Sequence, residues 1–78
     1  MNTYAFDQEL DCTGLNCPLP ILKTKKQIDT MESGQILKIV ATDMGSLSDM
    51  KAWSKRTQNE LVSHNEDAGT FTFFIRKN

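Results

Sequence analysis

Cysteine, proline and histidine are scarce in these 78 residues: two cysteines, two prolines and one histidine. Two cysteines make no disulfide framework, and with His64 they give only three soft ligands, one short of a closed zinc site. No Cys-x-x-Cys pair occurs, so neither a metal nor an organic cofactor is expected. The formal net charge of −1 lacks the basic excess of a nucleic-acid-binding domain, and direct nucleic-acid binding is not expected. No apolar run approaches the roughly 20 residues of a membrane span. The first residues carry no basic segment followed by an apolar run, as an export signal would. A cytoplasmic location without a membrane partner is therefore expected. At this length, with 38% apolar residues, residues 1–78 should form one domain around one small core, and a monomer.

What is present is patterned. Residues 4–11 alternate, with Tyr4, Phe6 and Leu10 on one face and Asp7, Glu9 and Asp11 on the other, as in a half-buried strand. Helical spacing follows from residue 18 to about 32, turning Ile21, Leu22, Ile28 and Met31 inward and Lys23, Lys26 and Gln27 outward, with Gly34 as the stop. Residues 35–42 hold Ile36, Leu37, Ile39 and Val40, interrupted only by Lys38, which suits a strand covered on much of its surface. Ser46 and Asp49 resemble a capping box ahead of a second helix over about 47–58, which presents Leu47, Met50, Trp53 or Ser54, and Thr57. Residues 60–65 and 70–77 read as strands joined through Glu66-Asp67-Ala68-Gly69, with Phe71, Phe73 and Ile75 inward and Phe74 opposite. The order βαβαββ with right-handed crossovers predicts an α/β (α+β) two-layer sandwich, a mixed four-stranded sheet with both helices on one face.

Cys17 stands apart from this pattern. In Gly14-Leu15-Asn16-Cys17-Pro18-Leu19-Pro20 a strand ends, a glycine turns the chain and a proline-led helix begins. Proline is favoured in the first helical turn, where its missing N–H costs nothing, so Pro18 reads as the first helical residue and Cys17 as its cap. A helix start stabilises a nearby anion by about 0.3–1 kcal/mol, up to ~2 when partly buried, enough to lower a thiol pKa from about 8.5 by up to about one unit. Asp11, close by in sequence, opposes the shift, so the depression should be moderate.

The remaining candidates are weaker. Cys12 follows Leu10 on the inward face and reads as a buried thiol; the sharper alternative makes it a resolving partner for Cys17. Pro18 and Pro20 rigidify the helix entry. Lys23, Lys25 and Lys26 form a basic cluster one to two turns from Cys17, either a solvated face or a surface that steers acidic partners. His64 is expected to face solvent. Trp53 and Phe74 read as packing residues, or together as an apolar docking patch.

The run Leu10-Asp11-Cys12-Thr13-Gly14-Leu15-Asn16-Cys17-Pro18-Leu19-Pro20 and the closing Phe71-Thr72-Phe73-Phe74-Ile75-Arg76-Lys77 resemble the TusA/SirA family of small sulfur-carrier proteins, over nearly the whole chain. The hallmark of that family is Cys-Pro-x-Pro preceded by Asp-x-x-Gly-Leu-x. The resemblance implies that Cys17 receives sulfane sulfur as a persulfide from a cysteine desulfurase, a rhodanese or a related donor and hands it to an acceptor protein. Gly14, Leu15, Pro18 and Pro20 complete the motif. It also implies the fold of the C-terminal domain of translation initiation factor 3, with the last strand antiparallel and inside the sheet. A carrier of sulfurtransferase type, without small-molecule turnover of its own, would follow, serving transfer-RNA thiolation, molybdenum-cofactor support or sulfur oxidation. The family often has Asp-Pro-x where this chain has Asp43-Met44-Gly45, which leaves that loop's shape open. Two other readings stand beside this one. One is a regulatory or interaction module without sulfur chemistry, the other a thiol-disulfide redox protein using Cys12 and Cys17.

Overall fold

The computed structural model describes residues 5–16 and 18–78, so the expectations for Tyr4 on the first strand and for Cys17 as a helix cap lie outside the described residues. Six elements follow in the expected order: β1 (Gln8–Cys12), α1 (Leu19–Ile28), β2 (Ile36–Ala41), α2 (Ser46–Thr57), β3 (Glu60–Asp67) and β4 (Thr70–Arg76). They build one four-stranded sheet in the order β1-β2-β4-β3. β1 and β2 run parallel, and β4 lies antiparallel to both of its neighbours. This is the predicted sandwich, with the last strand in the sheet interior.

The run of Phe71 to Ile75 suits that placement, because β4 is paired along both edges and Phe6 packs against Phe74 on the face without helices. Phe73 and Ile75 are fully buried on the helix side, and Phe74 is buried on the other. Leu37, Ile39 and Ala41 of β2 join Ile28 of α1 and Met50 and Trp53 of α2 in the same core. Fully burying one such large side chain stabilises a fold by about 1.5–3 kcal/mol.

Several expectations need correction. Phe6 was expected on the inward face with Leu10, but it precedes β1 and escapes the strand's alternation. Asp7 makes the last pairing there, its N–H donating to Ile36 O and its carboxylate accepting from Ile36 N, both at 2.8 Å. Phe6 is 41% exposed, packs against Phe74 with ring centroids 6.3 Å apart, and has the Lys38 ammonium 5.2 Å from its ring.

In α1, Pro18 is the N-cap, not the first helical residue, because its carbonyl accepts the first full helical bond, from Leu22 N at 3.1 Å. The helix ends at Ile28 with Asp29 as C-cap. Beyond it the chain tightens into three-residue turns, Thr30 N to Gln27 O and Met31 N to Ile28 O, and the Lys77 ammonium bonds Ile28 O. Gly34 is therefore not the helix stop; at φ +89° it turns the chain just ahead of β2. Leu22, expected in the core, is 55% exposed. The buried line is Pro20, Thr24 and Ile28, because the Thr24 hydroxyl donates to Pro20 O at 2.7 Å and can then be buried at little cost.

The capping box at Ser46 does not form. Gly45 is the N-cap of α2, Asp43 Oδ2 accepts from Gly45 N at 3.1 Å, and Ser46 lies inside the first turn. Its hydroxyl is buried and has no hydrogen-bond partner among the described residues. At the far end Gln58 is a left-handed C-cap. The hairpin loop is two residues, not four: Ala68 and Gly69 both take positive φ, 51° and 84°, so β3 extends to Asp67.

Candidate functional site

Because β1 and β2 are parallel and each runs into a helix, both helices start at the same end of the sheet. The segment between β1 and α1 is built from two turns. In the first, Leu15 N donates to Cys12 O at 3.3 Å and Gly14 takes φ +79°. Among the described residues, its chain neighbours aside, no atom lies within 4 Å of where a Gly14 Cβ would stand, and at φ +79° glycine serves conformation. The Leu15 side chain packs against the core and anchors the turn. In the second turn Leu19 N donates to Asn16 O at 2.9 Å, and the chain enters α1 through Pro18. Pro20 is fully buried in the first helical turn, where it has no N–H to leave unpaired.

Sequence places Cys17 between Asn16 and Pro18, directly ahead of this helix start. No acidic residue lies in the first turn of α1, and among the described residues its N-cap, Pro18, makes no side-chain capping bond. The partial positive charge of the helix start is therefore unanswered by any carboxylate of that turn. Asp11 is occupied locally: its Oδ1 accepts from Thr13 N at 2.9 Å and from Thr13 Oγ1 at 2.7 Å. Those bonds, with a smaller contribution from the nearby Lys23 ammonium, hold the Asp11 carboxyl below the usual carboxylate range. Cys12 is a free, fully buried thiol, and burial pushes it up, with Lys23 opposing and Asp11 adding to the shift.

The lysine cluster is exposed on α1 as expected, but its members differ. Lys25 pairs with Asp29 at 2.8 Å, whereas Lys23 and Lys26 make no ion pair among the described residues. With Leu22 the three lysines line an open concavity of about 400 Å³. Leu19, 47% exposed, precedes Leu22 by one turn. A second groove of about 200 Å³ opens between α1 and α2, lined by Pro18, Ile21, Asp49, Ala52, Trp53 and Arg56.

Sequence reasoning gives Leu19 and Arg56 no role of their own and Asp49 only that of a helix cap. The last two meet Pro18 only through tertiary packing, while Leu19, as the apolar residue between two prolines, was a readable signal. Trp53 and Phe74 pack on opposite faces of the sheet, so they form no common patch. His64 is exposed on β3, away from the helix starts in sequence and paired opposite Phe73. In the departing loop, Met44 is 88% exposed. Among the described residues no group of three His, Cys, Asp or Glu stands close enough to hold a metal ion.

Residues 8–77 match the family model described as sulfurtransferase TusA. The chain belongs to the TusA family. It is 56% identical over 72 residues to the sulfur carrier protein TusA of Allochromatium vinosum, covering 92% of this chain and 95% of that protein. It is 38% identical to sulfur carrier protein TusA of Pseudomonas putida, covering 99% and 96%. A crystal structure of a SirA-like protein from Desulfitobacterium hafniense superposes with a TM-score of 0.79 at 18% identity, over 90% of this chain and 96% of that one. That likeness supports the fold. Membership of the TusA family carries with it the role of a carrier in sulfur relay, which implies sulfur-donor and sulfur-acceptor proteins as partners. No helix among the described residues is long and apolar enough to cross a membrane.

Proposed function

We propose that Cys17 is the residue that carries the sulfur, as a persulfide. The observation that carries the reading is the start of α1, which follows Cys17 directly in sequence and has no carboxylate in its first turn. An anion there gains about 0.3–1 kcal/mol, which favours the thiolate near neutral pH. The Cys17 thiolate attacks the outer sulfur of a donor persulfide R–S–SH. The new S–S bond forms on Cys17, the donor's S–S bond breaks, and RS⁻ leaves with its electron pair, giving Cys17–S–SH. An acceptor thiolate repeats the attack on the outer sulfur and releases the Cys17 thiolate, so no oxidant or cofactor is consumed.

In this reading Gly14 and Leu15 shape and anchor the turn, Pro18 and Pro20 stiffen the helix entry, and Lys23, Lys25 and Lys26 help to dock partners. The donor is a cysteine desulfurase or rhodanese-like protein. The carrier acts in the cytoplasm as a monomer and turns over no small molecule by itself. The acceptor serves transfer-RNA thiolation, molybdenum-cofactor support or sulfur oxidation. Full burial of Cys12 speaks against a Cys12/Cys17 redox pair.

Intact-mass measurement after incubation with a sulfane-sulfur donor tests the assignment. Wild type and Cys12→Ser should each gain one sulfur atom, removed by reductant, and Cys17→Ser should gain none. Loading that survives in Cys17→Ser but fails in Cys12→Ser would overturn it, and a wild type that never loads would favour an interaction module.

A further inference from the structure

The parallel ladder of β1 and β2 ends at the pair Cys12 and Ala41. One residue further, where the strands diverge, the Thr42 hydroxyl accepts a hydrogen bond from Gly14 N at 2.9 Å, across 28 residues of chain. The turn at 12–15 thus has three successive amides in use: Thr13 N on Asp11 Oδ1, Gly14 N on Thr42 Oγ1 and Leu15 N on Cys12 O. The first and third bonds are local, and they shape the turn without tying it to another element. At 3.3 Å the third also lies at the long end of the range for such bonds. Among the described residues two tethers remain that fix the turn against the rest of the fold, the Leu15 side chain in the core and the Thr42 hydroxyl. Leu15 packs by apolar contact, which is non-directional. Thr42 supplies the directional restraint, and it acts on an amide three residues before Cys17.

We propose that Thr42 is a positioning residue for the sulfur step: its hydroxyl holds the Gly14 amide and, through it, the turn that delivers Cys17 to the start of α1. The inference rests on the carrier reading of Cys17. A nucleophile held by a loop loses rate when the loop samples other positions, because the attacking atom must be oriented for each transfer. Thr42 is exposed, so removing its hydroxyl leaves no buried group unpaired in the core and disturbs the fold little.

The test compares wild type, Thr42→Val and Thr42→Ser. Valine keeps the branched shape and removes the acceptor, while serine keeps the acceptor. Two rates are followed at Cys17 by peptide mass mapping: sulfur uptake from inorganic polysulfide, and alkylation by iodoacetamide across pH. Uptake gives Cys17–S–S⁻ and a polysulfide one sulfur shorter. Loss of one neutral hydrogen bond predicts about five- to tenfold slower uptake in Thr42→Val and a displaced alkylation profile, with wild-type behaviour in Thr42→Ser. Faster hydrogen exchange at the Gly14 amide in Thr42→Val, with an unchanged unfolding midpoint, should accompany it.

Wild-type uptake and profile in Thr42→Val, or equal losses in Thr42→Val and Thr42→Ser, would overturn the proposal. If wild type takes up no sulfur at all, the carrier reading fails, and the alkylation profiles still decide the role of Thr42.

Discussion

The two helices start at the same end of one sheet, and their first turns are answered differently. α2 enters through Asp43, whose carboxylate accepts from Gly45 N, and carries Asp49 within its first turn. Its positive end is met by two carboxylates. α1 enters through Asn16, Cys17 and Pro18 and has Leu19, Pro20 and Ile21 in the corresponding place. Neither N-cap residue makes a side-chain capping bond. The difference is thus one of charge and not of architecture. In α2 the helix start stabilises fixed side chains, whereas in α1 the same electrostatic resource is left for the residue that precedes it, the proposed carrier thiol. The outer surfaces differ as well, since α1 alone exposes two large apolar side chains, Leu19 and Leu22, beside lysines.

The strongest way to break this contrast is to give α1 the first turn of α2. Leu19→Asp places a carboxylate in a first turn that has none of its own, at an exposed position that asks nothing of the core. The added charge should stabilise the helix while opposing the Cys17 thiolate. With about 0.3–1 kcal/mol at stake, alkylation of Cys17 at pH 7 should slow by up to about fivefold, and Leu19→Asn should stay near wild type. Equal rates in all three proteins would show that the helix start does not act on the thiol.

The contrast between the helices also marks where sequence reading succeeds. The place of β4 inside the sheet came from the family resemblance, and the run Phe71-Thr72-Phe73-Phe74-Ile75, with one polar residue in five, suits it. The inward place of Cys12 followed from the alternation of its strand. The phase of α1 was not legible: nothing local says that Thr24 will turn its hydroxyl onto Pro20 O and be buried while Leu22 is exposed. Nor could Ser46 be separated from Gly45 as the helix cap: the Asp49 amide that a serine cap would hold donates to Gly45 O instead, and Asp43 takes the Gly45 amide. For the site, the cysteine-proline spacing pointed to Cys17, but the bond from Gly14 to Thr42 depends on strand register. That register exists only once β1 and β2 have paired.

A smaller effect is expected when the outer face of α1 is altered. Reversing Lys23, Lys25 and Lys26 to glutamate should slow sulfur transfer from a cysteine desulfurase several-fold while leaving uptake from polysulfide near wild type. Steered association depends on exposed charge, and small-donor chemistry depends on the thiol. Raised ionic strength should shrink the difference. Lys25→Glu alone should do less than Lys23→Glu or Lys26→Glu because Lys25 is engaged by Asp29. Equal losses with both donors, or indifference to salt, would reduce the cluster to a solvated face.

The smallest effect separates the two thiols. Burial raises the pKa of Cys12 in the folded chain, so the folded form holds its proton at pH values where the unfolded chain has released it. With more protons bound when folded, stability is unaffected below the ordinary thiol range and falls as pH rises through it, at no more than about 1.4 kcal/mol per pH unit for one group. A thiol at the start of α1, with its pKa lowered, would contribute in the opposite sense. Denaturant unfolding between pH 7 and 10 in a Cys17→Ser background isolates the first term, and Cys12→Ala in that background should remove it. The difference between those two stability curves cancels the lysine and tyrosine titrations common to both. It should stay constant up to about pH 8 and then shrink, as the alanine variant's initial deficit is partly offset. A difference that stays constant to pH 10 would mean that Cys12 ionises as readily in the folded protein as in the unfolded chain, and the contrast between a sheltered thiol on β1 and a reactive one ahead of α1 would be lost.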